Sequence, residues 1–77
     1  MKHELKDIKM LMDAGSLKSA TVSPLFGGWS ATFTAAKGKE TYTMHTQRGE
    51  VRTFKTLDAA CKVIKELGFG TFEVKTH

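Results

Sequence analysis

The sequence predicts a small α+β domain, an antiparallel β-meander packed against helix in the order α-β-β-β-β-α-β. Two runs, WSATFTA and TYTMHTQ, alternate apolar and polar residues with period two. A sheet with one buried and one wet face needs that pattern, because successive side chains leave opposite sides of the pleat. Glycine-bearing breaks separate these runs from their neighbours, as short reversals require. Finally, Leu57, Ala60, Cys61, Ile64 and Leu67 recur at helical spacing and form one apolar stripe.

The first helix is expected over residues 3–14, where Leu5, Ile8, Leu11 and Met12 share a stripe. Glu4 and Asp7 suit the positive end of its dipole, and Gly15 suits a left-handed stop. A strand follows over 18–23 and is expected to end at Pro24, which has no ladder donor. Leu25-Phe26-Gly27-Gly28 reads as a turn into a second strand over 29–36. Lys37-Gly38-Lys39 leads to a third over 40–47, and Arg48-Gly49-Glu50 to a short fourth over 51–54. Thr56 is an N-cap by type, with Asp58 in the first turn of the second helix and Gly68 at its end. A last strand spans 71–75, with Phe72 and Val74 on one face. Trp29, Phe33, Tyr42, Leu57, Cys61, Ile64, Leu67 and Phe72 are the expected core.

At 77 residues there is room for one domain, residues 1–77, with a modest core. A 40% hydrophobic and 26% charged composition is that of a globular chain, not a disordered one. Cys61 is the single cysteine and cannot close an internal disulfide, which predicts a reducing compartment. No apolar run approaches the ~20 residues of a membrane span. MKHELKDIKM lacks the continuous apolar stretch of a signal peptide. The expected location is cytoplasmic, with no membrane partner. A net charge of +4 is compatible with nucleic acid without specifying it.

No catalytic constellation stands out, and the reading is of a protein that is not an enzyme. His3, His45 and His77 are scattered, and one cysteine gives no metal-ligand spacing, so no metal or other cofactor is expected. A Cys61–His45 nucleophile and base pair is conceivable, but Cys61 lies on the apolar stripe, where a thiol behaves as a small hydrophobe. GFGTF runs from helix to strand, the reverse of a phosphate loop. Met10, Met12 and Met44 read as core filler, and Trp29 as a core anchor. The polar face carries more information. Ser30, Thr32, Thr34, Thr41, Thr43, His45 and Gln47 line up on two adjacent strands, bordered by Lys37, Lys39, Arg48, Arg52 and Lys55. Hydroxyls and amides ringed by cations suit a sheet that reads nucleic acid. Threonine also favours any solvated strand face, and lysine at turns keeps sheet edges soluble.

The segment TQRGEVRTFKTLDAACKVIKELGFGTFEV resembles the core of small ParC-type partition-associated proteins of plasmids and integrative elements. The resemblance runs through Lys18-Ser19-Ala20, Gly27-Gly28-Trp29, the hairpin from Thr46 to Phe54, the helix from Leu57 to Gly68 and the closing Phe72-Glu73-Val74. It covers nearly the whole chain, and its motifs are structural. It implies an accessory protein of a mobile element, acting beside a partition or replication system. A fainter likeness to three-stranded-sheet DNA readers of the integrase-arm kind is an analogy of fold alone.

The expectation is therefore a non-enzymatic accessory or binding protein of a plasmid or other mobile element. It would contact DNA, or a partition or replication protein. For nucleic acid the candidate residues are Arg48, Arg52, Lys37, Lys39, Lys55, Thr32, Thr43 and His45. The alternative is a protein–protein interaction or homodimeric assembly module without nucleic-acid affinity, pairing through an edge strand at 71–75 or 18–23.

Overall fold

The computed structural model describes residues 3–75. His77 lies outside them. The elements are α1 (Leu5–Asp13), β1 (Leu17–Leu25), β2 (Gly28–Ala35), β3 (Thr41–Thr43), α2 (Leu57–Glu66) and β4 (Glu73–Val74). They form one four-stranded sheet in the order β3-β2-β1-β4. The β1–β2 and β2–β3 pairs are antiparallel, whereas β4 runs parallel to β1. The architecture is α+β, but the sheet is mixed and not a simple meander. The chain leaves at β3, passes along α2 and returns at the opposite edge.

Both helices are closed by local chemistry legible in the sequence. The Asp7 carboxylate accepts from the Glu4 N–H at 3.0 Å at the start of α1, and Thr56 Oγ1 accepts from the Ala59 N–H at 3.2 Å at the start of α2. Each helix ends in a Schellman motif. Gly15 and Gly68 take positive φ, and their N–H groups bond Met12 and Lys65 carbonyls while Ser16 and Phe69 reach back to Leu11 and Ile64.

β1 is longer than the sequence suggests, because Pro24 sits inside it opposite Trp29. The two-residue turn Phe26-Gly27 makes Leu25 and Gly28 the hydrogen-bonded pair, so Pro24 falls at a non-bonded position of the β1–β2 ladder. Its missing N–H is not needed there. β4 pairs only with Thr21 and Val22, so the other side of Pro24 needs no donor either. A bulge at Lys18 rephases the start of the strand, which turns Leu17 to the side of Ala20 and Val22. Because β1 lies between β2 and β4, residues 18–23 are not an edge strand.

The third and fourth expected strands differ most from expectation. β3 pairs with β2 only at residues 41–43, after which Met44 donates a last bond to the Ala31 carbonyl. The chain then peels away through a turn in which Thr46 bonds Glu50. The returning segment takes over beside β2, where Trp29 and Phe54 exchange two backbone bonds of 2.9 and 2.8 Å. Residues 51–54 thus make isolated bridges, His45–Val51 and Trp29–Phe54, in place of a strand.

Ile8 of α1, Ala60, Ile64 and Leu67 of the α2 segment, Ala20 and Val22 of β1, and Ala31 and Phe33 of β2 share one core with Leu17, Met44, Phe54 and Phe69. Of the expected core, Phe33, Ile64 and Leu67 are buried, and Trp29, Tyr42, Leu57 and Phe72 pack half-buried around them. Cys61 is a correction. It is half-exposed on α2, lining a surface groove with Asp58, Lys62, Lys65 and Glu66, because it falls at the margin of the apolar stripe. Met10 is a second correction, standing 70% exposed on the outer side of α1.

Candidate nucleic-acid interface

The alternation that sends Ala20, Val22, Ala31 and Phe33 into the core sends the intervening residues to the other face. Strand register aligns them. Thr21, Thr32 and Thr43 face one another across three strands, as do Ser19, Thr34 and Thr41, and Ser23 stands opposite Ser30. Both helices contribute to the core on the opposite side, which leaves this hydroxyl face as the outer surface of the sheet. Ser30 is its one buried member, its hydroxyl donating to the Ser23 carbonyl at 3.4 Å. Ser19, Thr21 and Ser23 of β1 join the β2 and β3 hydroxyls expected from the sequence. Their own alternation with Ala20 and Val22 was the available signal.

At the β1–β4 edge Glu73 pairs with Thr21 and so shares the hydroxyl face. A groove of about 470 Å³ there is lined by Lys18, Ser19, Thr21, Thr34, Thr71 and Glu73, among others. The acidic group marks one border of the surface.

The expected cations do not converge on this face. Lys37 and Lys39 are exposed in the β2–β3 connection, and Lys37 lines a groove with Ser16, Glu40 and Tyr42. Lys55 is exposed at the other end of the sheet, just after Phe54. Arg48 and Arg52 open into a different cleft, of about 670 Å³, together with His45, Gln47, Glu50 and the start of α1 at Glu4 and Lys6. That cleft mixes both signs of charge. Arg52 holds its guanidinium 5.1 Å from the Phe54 ring centre, an arrangement that fixes the side chain by cation–π attraction.

His45 and Gln47 leave the row of threonines because β3 ends at Thr43. The His45 Nδ1 is buried without a hydrogen-bond partner among the described residues, and its backbone N–H donates to the His3 carbonyl at 2.6 Å. Among the described residues, no group of His, Cys, Asp and Glu is placed to hold a metal ion, and no helix is long and apolar enough to cross a membrane. At the other sheet edge Tyr42 donates its hydroxyl to Glu40 at 2.9 Å. That bond, with some desolvation and the carboxylate charge, raises the phenol above its ordinary pKa of 10.0.

Comparison with protein-family models, with curated proteins and with solved structures finds no match.

Proposed function

We propose that this chain is a non-catalytic nucleic-acid-binding accessory protein that lays its hydroxyl face against a duplex. The observation that carries the reading is the register of Ser19, Thr21, Ser23, Thr32, Thr34, Thr41 and Thr43 on the side of the sheet away from the core, each of them at least partly exposed. Protein interfaces concentrate apolar and aromatic residues at their centre. Nucleic-acid interfaces are polar and wet, and serine and threonine donate to phosphate oxygens and base edges. A field of hydroxyls with no apolar centre fits the second description. The scale fits as well. Strands lie about 4.8 Å apart, so the axes of β1 and β3 are about 10 Å apart, close to the ~12 Å width of a DNA major groove. β4 lies beyond that width, and the Glu73 carboxylate, which repels phosphate, limits the contact to β1, β2 and β3. Lys37, Lys39 and Lys55, exposed at the two ends of the sheet, then act from the periphery on the phosphates, whereas Arg48 and Arg52 stand in the separate cleft beside α1. The resemblance to partition-associated proteins supports an accessory role on a plasmid or other mobile element.

The test is a fluorescence-anisotropy titration with a labelled duplex at several salt concentrations. Binding weakens steeply with salt, since each neutralised phosphate releases a counterion. Thr21→Val, Thr32→Val and Thr43→Val together keep the β-branched shape and remove three hydroxyls. Affinity should fall by roughly tenfold or more with little change in salt slope. Replacing Lys37, Lys39 and Lys55 by alanine should flatten the slope by about one unit for each phosphate that is no longer neutralised. No binding at low salt, or a triple-valine variant that binds like wild type, overturns the reading.

A homodimeric assembly module is the second reading. β4 pairs through two residues on one side and forms an edge of the sheet on the other, with Val74 38% exposed. An unpaired edge can add a second copy's strand across a two-fold axis. Sedimentation equilibrium of wild type against Val74→Pro separates this from a monomeric binder.

A further inference from the structure

The turn joining β1 to β2 places an aromatic ring where the fold gives it nothing to do. Phe26 is 89% exposed, and it is the only non-glycine residue with positive φ among the described residues, at 50°. With Gly27 at 77° it supplies both central positions of a two-residue connection. Such connections favour Asn, Asp or Gly, because left-handed backbone brings Cβ against the following carbonyl oxygen, a cost that Gly avoids and that Asn and Asp offset by local hydrogen bonds. The ring therefore carries a backbone penalty and an exposure penalty, with no burial in return. Backbone strain of this kind concentrates at active sites, ligand clamps and switches, which raises the question of what this ring meets.

Its surroundings identify the kind of partner. Pro24 is exposed on the same hairpin, and Leu25 is half-buried. Two exposed lysines belong to the backbone segments that flank the hairpin. Lys55 follows Phe54, whose backbone is bonded to Trp29, and Lys75 donates its N–H to the Val22 carbonyl at 2.8 Å. An exposed apolar ring on a hairpin whose two neighbouring segments each carry an exposed lysine matches a nucleobase and its phosphates, since bases stack on aromatic rings whatever their sequence. Phe33, Phe54 and Phe69 lie in the core, and Trp29, Tyr42 and Phe72 pack against it. Phe26 alone is free to stack.

We propose that Phe26 is a nucleobase-stacking residue at the tip of the β1–β2 hairpin, reaching past the end of the hydroxyl face. This inference rests on the nucleic-acid reading of that face. The base could come from a single strand or from a duplex step that the ring opens, as apolar wedges do.

Three labelled probes test it by anisotropy at low salt: a mixed-sequence single strand, an intact duplex, and the same duplex with one bulged base. Phe26→Asn should lose roughly tenfold in affinity for probes that offer a base, while Phe26→Trp binds as tightly as wild type. Loss confined to the single strand and the bulged duplex assigns the base to an unpaired source. Loss on the intact duplex as well assigns it to a step opened by the ring. Because asparagine suits the turn, Phe26→Asn should raise Tm, by roughly 4–8 °C, even as it weakens binding. Unchanged binding of Phe26→Asn to every probe overturns the inference and leaves the sheet-face reading standing. A fall in Tm, or a Trp variant as weak as the Asn variant, also overturns it. No binding by wild type to any probe removes both.

Discussion

Gly28 should resist replacement for a reason unrelated to its φ. A Cβ at this position would lie 2.6 Å from the Phe54 carbonyl oxygen and 3.4 Å from its carbon. Both are backbone atoms, so no side chain can swing aside. Ordinary van der Waals separation begins near 3.4 Å, so the carbonyl would have to retreat by about 0.8 Å. That carbonyl accepts the Trp29 N–H at 2.9 Å, and its partner bond of 2.8 Å returns from the Phe54 N–H. These two bonds hold the segment that replaces β3 beside β2. Losing or bending both costs about 1–3 kcal/mol at ~0.5–1.5 each. Glycine-to-alanine stiffening of the unfolded chain returns ~0.4–1 kcal/mol. The central expectation for Gly28→Ala is a loss of ~1.3 kcal/mol, or a Tm lowered by roughly 5–10 °C for a domain of this size. Gly70 is the control, since a Cβ there meets nothing within 4 Å. Thermal and urea unfolding followed through Trp29, the single tryptophan, would report both variants. Gly28→Ala as stable as Gly70→Ala would refute the close packing of Phe54 on the start of β2.

Phe33 is fully buried and packs against Phe69 with ring centres 5.7 Å apart, so Phe33→Ala should cost ~3–5 kcal/mol in urea unfolding. Tyr42 should ionise above 10.0, since the neutral phenol is the form that donates to Glu40. A raised folded value means that this contribution is intact below pH 10 and is lost as pH rises through the shifted midpoint. Tyrosinate absorbance reads it cleanly because the chain has one tyrosine, and Glu40→Gln should lower the midpoint. Half-exposed Cys61 should take up one equivalent of a thiol reagent in the folded protein; labelling that proceeds only at the unfolding rate would return it to the core.

Period and punctuation made much of this fold readable in advance. Thr56, Gly15 and Gly68 signal their helix ends through side-chain and backbone chemistry that acts within a few residues. Alternation places Phe33 inward and Thr32 outward without reference to any partner strand. What escaped the reading depends on pairing between distant segments. Pro24 stays in β1 only because β4 stops short of it, and the bulge at Lys18 exists to turn Leu17 inward. Residues 51–54 carry a strand-like pattern, yet their place is decided by where β3 leaves β2. The parallel return of β4 follows from the path of α2 across the sheet, which no local signal announces. The candidate surface shows the same division. Thr32 and Thr43 were legible as one face, but the separation of Arg48, Arg52 and His45 into a cleft beside α1 arises from the same departure of β3.

The central claim, that the hydroxyl face is the binding surface, is tested most directly by residue-level mapping. Backbone amide NMR shifts would be followed as an unlabelled duplex is added to isotopically labelled protein at low salt. The account predicts shifts concentrated on Ser19, Thr21, Thr32, Thr34, Thr41 and Thr43 and on the Phe26-Gly27 turn, with α2 unaffected. Shifts confined to α1 and α2, or none at any duplex concentration, would contradict it.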